Sequence, residues 1–83
     1  MTFELFQDVI LTTDVPDRSL CAGDIGTVVE HHLVPGREDG YSVEFFDLSG
    51  QTVAVVTLPA HNLRTPTAAD RPTSRTSQVL ASS

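Results

Sequence analysis

The sequence contains no lysine, a single cysteine and no long apolar run. One cysteine cannot build the disulfide framework that is typical of small proteins from oxidising compartments. The apolar runs are far shorter than the roughly 20 residues of a membrane-spanning helix. The first five residues have neither the basic start nor the apolar core of a signal peptide. These absences predict a cytoplasmic protein that does not span a membrane.

Acidic residues dominate the charge of the chain. Eleven acids stand against five arginines, giving a net charge of −6, and residues 1–64 alone carry ten acids and three arginines. A segment with a charge of −7 repels phosphate backbones, which argues against DNA or RNA as a ligand. A basic protein surface or a divalent cation would be complementary, although solubility alone also explains such a charge.

Glycine turns followed by β-branched runs recur along the chain, most clearly in the octet Gly-Asp-Ile-Gly-Thr-Val-Val-Glu at 23–30. We therefore predict an extended first element with a bend near Gln7-Asp8, three further strands and a brief fifth strand. Their ranges are 3–13, 25–32, 41–46, 52–58 and 64–65. The fourth strand is apolar on both faces, which predicts the most buried strand. Proline ends it, and a short helical turn follows at 59–63.

A small closed or nearly closed all-β barrel is the architecture that this pattern favours, with four to five antiparallel strands. The chain is short enough for a single domain. We place the barrel at residues 1–65. Residues 66–83 are rich in serine, threonine, proline and alanine, which predicts a flexible tail without a core.

Acidic residues in the turns are weak candidates for calcium ligands, because calcium binds carboxylate oxygens from loops. No EF-hand spacing is present, and turn carboxylates also bond local backbone N–H groups. His31 and His32 are neighbours on a strand and should point to opposite faces, so a regular strand does not let both bind one ion. His61 could approach either of them, so a histidine metal site is an alternative to plain surface or barrel-end histidines. The acidic candidates are Asp14, Asp17, Glu38, Asp39 and Asp47.

Catalytic motifs are missing from the sequence. There is no Ser-His-Asp order with a nucleophile elbow, and the pair Gly23 and Gly26 lacks the Gly-Lys-Ser/Thr of a phosphate loop. Cys21 has Asp24 close by in sequence, which does not activate a thiol. We therefore predict that the protein is not an enzyme, with no catalytic residue and no cofactor.

Two aromatic residues interrupt the alternation of apolar and polar positions. Phe6 and Phe46 are our candidates for exposed partner contacts, although they could also plug the ends of the barrel. With Glu38 and Asp39 they predict a surface for a basic protein partner. The sequence leaves the oligomeric state open.

Three segments carry a resemblance to a known family. They are Leu-Cys-Ala-Gly-Asp-Ile-Gly-Thr-Val-Val-Glu at 20–30, Tyr-Ser-Val-Glu-Phe at 41–45 and Leu-Pro-Ala-His-Asn-Leu-Arg at 58–64. Their order resembles a family of small bacterial domains, including cyanobacterial ones, whose function is unknown. The resemblance covers roughly residues 3–65 and implies a small adaptor-like protein, with an acidic chain neutralising a toxin-like neighbour as one possible role.

A more distant likeness is one of fold. The Gly-x-x-Gly-x-Val turn followed by Tyr-x-Val-x-Phe is similar to the SH3-like barrel at the C-terminal end of the nitrile hydratase β subunit. This likeness implies an SH3-like barrel here. The function that we expect is a non-catalytic acidic interaction module for a toxin-like or enzyme partner. The alternatives are a divalent-cation-binding protein and an accessory subunit of a metalloenzyme of the nitrile hydratase type.

Overall fold

Five antiparallel strands form one curled sheet in the computed structural model, which describes residues 2–70. The sheet order is β4-β3-β2-β1-β5, and the sheet closes into a half-barrel. The predicted all-β, SH3-like architecture with a short helical turn after the fourth strand is confirmed. The strands are β1 (Asp8–Leu11), β2 (Ile25–His32), β3 (Gly40–Phe46), β4 (Thr52–Pro59) and β5 (Leu63–Arg64), with 3₁₀ helices at Pro16–Arg18 and Ala60–Asn62.

The interior of the half-barrel is filled by alternate residues of the strands. Tyr41, Val43 and Phe45 all face inward and are buried, as their spacing in the sequence predicted. Phe3 closes one end of the core, because its ring meets Tyr41 edge to face at 5.3 Å and its backbone N–H donates to the Tyr41 hydroxyl. Full burial of each large side chain stabilises the fold by about 1.5–3 kcal/mol.

Two glycines of the octet at 23–30 are required for different structural reasons. Gly23 adopts φ +97°, a left-handed conformation that turns the chain into β2. Gly26 lies within β2, opposite Phe45, where a Cβ atom would stand 2.5 Å from Cγ1 of Val43. The absence of a side chain at residue 26 therefore allows β2 to pack closely on the core residues of β3.

A β-bulge interrupts the pairing of β2 with β3. Val28 pairs with Val43 and Glu30 pairs with Ser42, so Val29 is the extra residue. Bulges bend a strand and increase its twist. This bend helps to curl the sheet into the half-barrel, and it sets the faces on which the following histidines lie.

The prediction that the fourth strand is the most buried was wrong. Val53 and Val55 of β4 are 56% and 48% exposed, whereas β3 is the strand with most buried residues. The sheet order gives the reason, because β4 is a terminal strand with one neighbour and β3 lies between two strands. Apolar residues on both faces of β4 therefore do not indicate a central position.

The first element is also shorter than the sequence predicted. β1 begins at Asp8, and the chain bends at Leu5-Phe6, slightly before the expected position. Phe6 has φ +66°, which turns the preceding segment away from the direction of β1.

The chain continues beyond β5, which ends at Arg64. Residues 66–70 follow β5 and end in a turn in which the Asp70 N–H donates to the Thr67 carbonyl. Of the predicted tail at residues 66–83, residues 71–83 lie outside the described residues. Among residues 2–70 there is no helix of the length and hydrophobicity that crossing a membrane requires.

Candidate protein-docking site

A tight turn before β1 displays the most exposed aromatic side chain of the described residues. We refer to residues 4–8 as the Phe6 turn. The Gln7 N–H donates to the Glu4 carbonyl at 3.2 Å, and the Glu4 N–H donates to Oε1 of Gln7 at 3.0 Å. The Phe6 N–H donates to the Val28 carbonyl at 2.6 Å, and the Val28 N–H donates to the Gln7 carbonyl at 2.9 Å. The first two hydrogen bonds close the turn, and the two with Val28 fix it to β2.

Phe6 combines exposure with an unfavourable backbone conformation. Its side chain is 74% exposed, and its φ of +66° is a region that bulky residues rarely occupy. A residue in this conformation is destabilised by about 1–2 kcal/mol relative to glycine. Because the ring is not buried, packing within the fold does not compensate for this strain. Strained residues that persist often lie at functional sites.

Carboxylates flank Phe6 on both sides. Glu4 and Asp8 are exposed, and the Glu4 carboxylate has no partner within residues 2–70. Asp8 Oδ1 accepts a hydrogen bond from the Thr27 hydroxyl at 3.1 Å, which leaves its second oxygen available to a ligand. An aromatic face beside carboxylates suits an arginine or lysine side chain, through cation–π contact and ion pairing.

Phe46, the second predicted contact, ends β3 and is 44% exposed. It lies on the other side of β2 from the Phe6 turn, because β3 borders one edge of β2 and the Phe6 turn bonds to the opposite edge. The two aromatic side chains therefore belong to different parts of the surface. Their role as partner contacts stays a prediction.

The predicted acidic residues Glu38 and Asp39 are engaged within the fold. Glu38 accepts hydrogen bonds from the backbone N–H of His61 at 3.1 Å and pairs with its Nδ1 at 2.5 Å. Asp39 Oδ2 lies 2.9 Å from Nε2 of His31, and its carbonyl accepts from the Ala60 N–H. These contacts fasten the β2–β3 loop to the second 3₁₀ helix. An open hollow of about 300 Å³ beside them is lined by Glu38, Ala60, His61 and Leu63.

The adjacent histidines lie on opposite faces of β2, as predicted. His31 stacks on Tyr41 with ring centroids 4.6 Å apart, whereas His32 Nε2 lies 2.9 Å from the Ser42 hydroxyl on the outer face. Glu30 approaches the same Nε2 of His32 at 3.5 Å. A catalytic triad requires the acid at Nδ1, and Ser42 is buried, so this contact is not the geometry of a serine hydrolase.

The remaining acidic candidates serve turns. Asp14 Oδ1 accepts from the Ala22 N–H, and Asp47 Oδ1 accepts from the hydroxyl and N–H of Ser49 and from the Gln51 N–H. The Ser49 hydroxyl, followed by the Gln51 N–H, lowers the pKa of Asp47. Asp17 lies on the first 3₁₀ helix. Within residues 2–70 no three His, Cys, Asp or Glu side chains are grouped to hold a metal ion. Calcium binding and an accessory role beside a metalloenzyme stay predictions.

Comparison with known families supports the resemblance seen in the sequence. The model of a family described as a domain of unknown function (DUF4926) matches residues 5–65. The chain belongs to the DUF4926 family. The matched region includes Phe6, Asp8 and Phe46 and ends before Asp70. No curated protein and no solved structure matches the chain.

Sequence reasoning identified Phe6 but missed the residues around it. Leu5 is also exposed, and Glu4 and Asp8 complete the charged surroundings of the ring. The available signal was an apolar pair enclosed by acids at the start of the chain. Nothing in the sequence marked a left-handed residue at position 6, which turns this pair outward.

Proposed function

We propose that this member of the DUF4926 family is a non-catalytic interaction module that docks a basic protein at the Phe6 turn. Docking would neutralise or regulate the partner, for which a toxin-like protein and an enzyme are the two classes that we consider. The observation that carries the proposal is the exposed Phe6 ring on a strained but firmly bonded backbone. An anchor residue that is held in place before binding loses little conformational entropy on association.

The chemistry of the turn favours a cationic partner. A buried aromatic anchor at an interface typically contributes about 2 kcal/mol or more to binding, and an arginine over its face adds about 0.5–2 kcal/mol. Glu4 and Asp8 provide ion-pair acceptors beside the ring. The net charge of −7 over residues 1–64 would accelerate encounter with a basic protein, and this acceleration decreases as salt is added.

Phe46 provides a second apolar contact in this proposal, on the other side of β2. Glu38 and Asp39 would contribute less to direct contacts, because His61 bonds both oxygens of Glu38 and His31 bonds Oδ2 of Asp39. Their main effect on the partner would be long-range attraction. The Phe6 turn is thus the centre of the interface, and the loop of Glu38 and Asp39 lies at its periphery or outside it.

A binding experiment with the protein encoded beside this gene tests the proposal. We expect Phe6→Ser to weaken binding at least tenfold in calorimetry, since a hot-spot aromatic is lost. Leu33→Ser is the matched control, because Leu33 is 75% exposed in the β2–β3 loop and lies away from the turn. Equal losses for the two variants, or binding that is insensitive to Phe6→Ser, would exclude the Phe6 turn as the docking site.

A further inference from the structure

One edge of β4 is not covered by any strand of residues 2–70. β4 stands first in the sheet order and pairs with β3 only. The backbone groups on such an edge are a template for another strand, and proteins usually protect it with charges or proline. β4 has neither between Thr52 and Leu58, and its outward side chains Val53 and Val55 are exposed. This edge is thus open to strand pairing.

Arg18 makes one long hydrogen bond to the open edge of β4. Its Nη2 donates to the Val55 carbonyl at 3.3 Å, which is beyond the usual length of an N–H···O hydrogen bond. The guanidinium is carried by an exposed side chain on the first 3₁₀ helix. A strand that offers its own N–H to Val55 would replace this contact with a shorter main-chain bond.

The charge distribution indicates which strand fits. From Leu48 to Leu63 the chain contains no Asp, Glu, Lys or Arg, although residues 1–64 have a net charge of −7. Glu44 of β3 pairs with Val55 on the covered side of β4, but no charged residue lies along β4 itself. The β4 edge is therefore a surface on which two acidic copies can approach without like charges meeting along the strand.

We propose that β4 pairs antiparallel with β4 of a second copy, about a twofold axis near Val55. In that register Val55 of one copy faces Val55 of the other, and Val53 of one copy faces Thr57 of the other. Cross-strand pairs of β-branched residues are favourable, and a twofold axis makes the interface self-complementary. The two sheets would join into one sheet of ten strands. This inference goes beyond the proposed function, because it requires no other protein.

Sedimentation equilibrium of the full chain tests the pairing. Over roughly 10 μM to 1 mM we expect the mass to rise toward about 18 kDa, twice the 9.0 kDa of one chain. Raising the salt from about 0.05 M to 0.5 M should strengthen the dimer several-fold, since screening reduces repulsion between the acidic copies. Val55→Lys places like charges opposite each other at the axis and should weaken dimerisation at least tenfold.

Leu33→Lys is the matched control, because it makes the same charge change at an exposed apolar residue outside β4. It should dimerise like the wild type. If circular dichroism finds Val55→Lys unfolded, Val53→Lys replaces it, since Val53 is also exposed on β4. A wild type that stays at 9.0 kDa in high salt would overturn the proposal, as would equal effects of lysine at 55 and 33. Binding of the basic partner is measured separately, so either proposal can fail alone.

Discussion

The loop at Glu38 and Asp39 and the Phe6 turn each carry one glutamate and one aspartate, but they differ in how far these carboxylates contact the rest of the fold. In the loop at Glu38 and Asp39, both carboxylates bond histidines: Glu38 bonds His61 of the second 3₁₀ helix, and Asp39 bonds His31 of β2. On the Phe6 turn, the Glu4 carboxylate has no partner within residues 2–70, and the ring of Phe6 is exposed. The first region uses its acids to hold the fold together, whereas the second displays them.

This difference separates stability from binding. Residues that hold the fold together should affect unfolding when they are changed, and residues that are displayed should affect only association. Phe6 is the extreme case, because its backbone strain opposes folding while its side chain remains available to a partner. The contrast can be tested by changing each region with matched substitutions.

Phe6→Gly should produce the largest effect. Glycine accepts φ +66° without strain, so we expect the free energy of unfolding to rise by about 1 kcal/mol. Affinity for the basic partner should fall at least tenfold, because the aromatic anchor is lost. Chemical denaturation and calorimetry measure the two quantities. A clear decrease in stability would mean that the Phe6 ring packs within the fold.

Neutralising Glu38 and Asp39 should have the next largest effect. The double variant Glu38→Gln with Asp39→Asn should lower the free energy of unfolding by about 1 kcal/mol, since two charge-assisted contacts weaken. Affinity should change less than about threefold. The control is Glu4→Gln with Asp8→Asn, which removes the same charge and should leave stability within about 0.5 kcal/mol. If the Glu4 and Asp8 variant were the less stable of the two, the Phe6 turn and not the loop at Glu38 and Asp39 would be the region whose acids hold the fold together.

Asp47 provides a smaller, pH-dependent test of a carboxylate that serves the fold. Hydrogen bonds from Ser49 and Gln51 lower the pKa of Asp47 below its ordinary 3.8. A lowered pKa means that the contribution of Asp47 to stability is complete above about pH 4 and is lost as pH falls through the lower folded value. Asp47→Asn should therefore reduce the melting temperature at pH 7 and flatten its decline below pH 4. An unchanged decline would assign the acid sensitivity to other groups.

Asp70→Asn should have the smallest effect. Arg64 makes a bidentate ion pair with Asp70, which lowers the pKa of that carboxyl, and the Thr67 N–H also donates to it. Arg64 is exposed and Asp70 is half-buried, so loss of the pair should change the melting temperature by less than about 2 °C. Hydrogen exchange of the Thr67 amide should nevertheless accelerate. An unaltered exchange rate would show that the turn holds without the ion pair.

The fold could be predicted well where local chemistry determines it. Glycine turns and β-branched runs placed β2 and β3 within a residue of their observed bounds, because these signals are short-range. The burial of β4 could not be predicted from its composition, because burial depends on the strand's place in the sheet. The left-handed conformation of Phe6 could not be predicted either, since only glycine and asparagine usually indicate that conformation.

The candidate site was predictable only in part. Exposure of Phe6 and Phe46 agrees with their irregular positions in the sequence. The contacts of Glu38 with His61 and of Asp39 with His31 join residues that are up to 23 positions apart. Such long-range pairs arise from the curl of the sheet, which no local pattern reveals. A count of acidic residues therefore does not show that these two carboxylates have partners within the fold.

Gly26 has a consequence for how relatives of this chain can vary. A methyl group there would overlap Val43 and press on the Phe45 ring, so larger residues at 26 and 43 exclude each other. A larger residue at position 26 requires a smaller residue at position 43. The stability lost in Gly26→Ala should therefore be restored by Val43→Ala. An alignment of relatives should consequently display correlated side-chain volumes at these two columns.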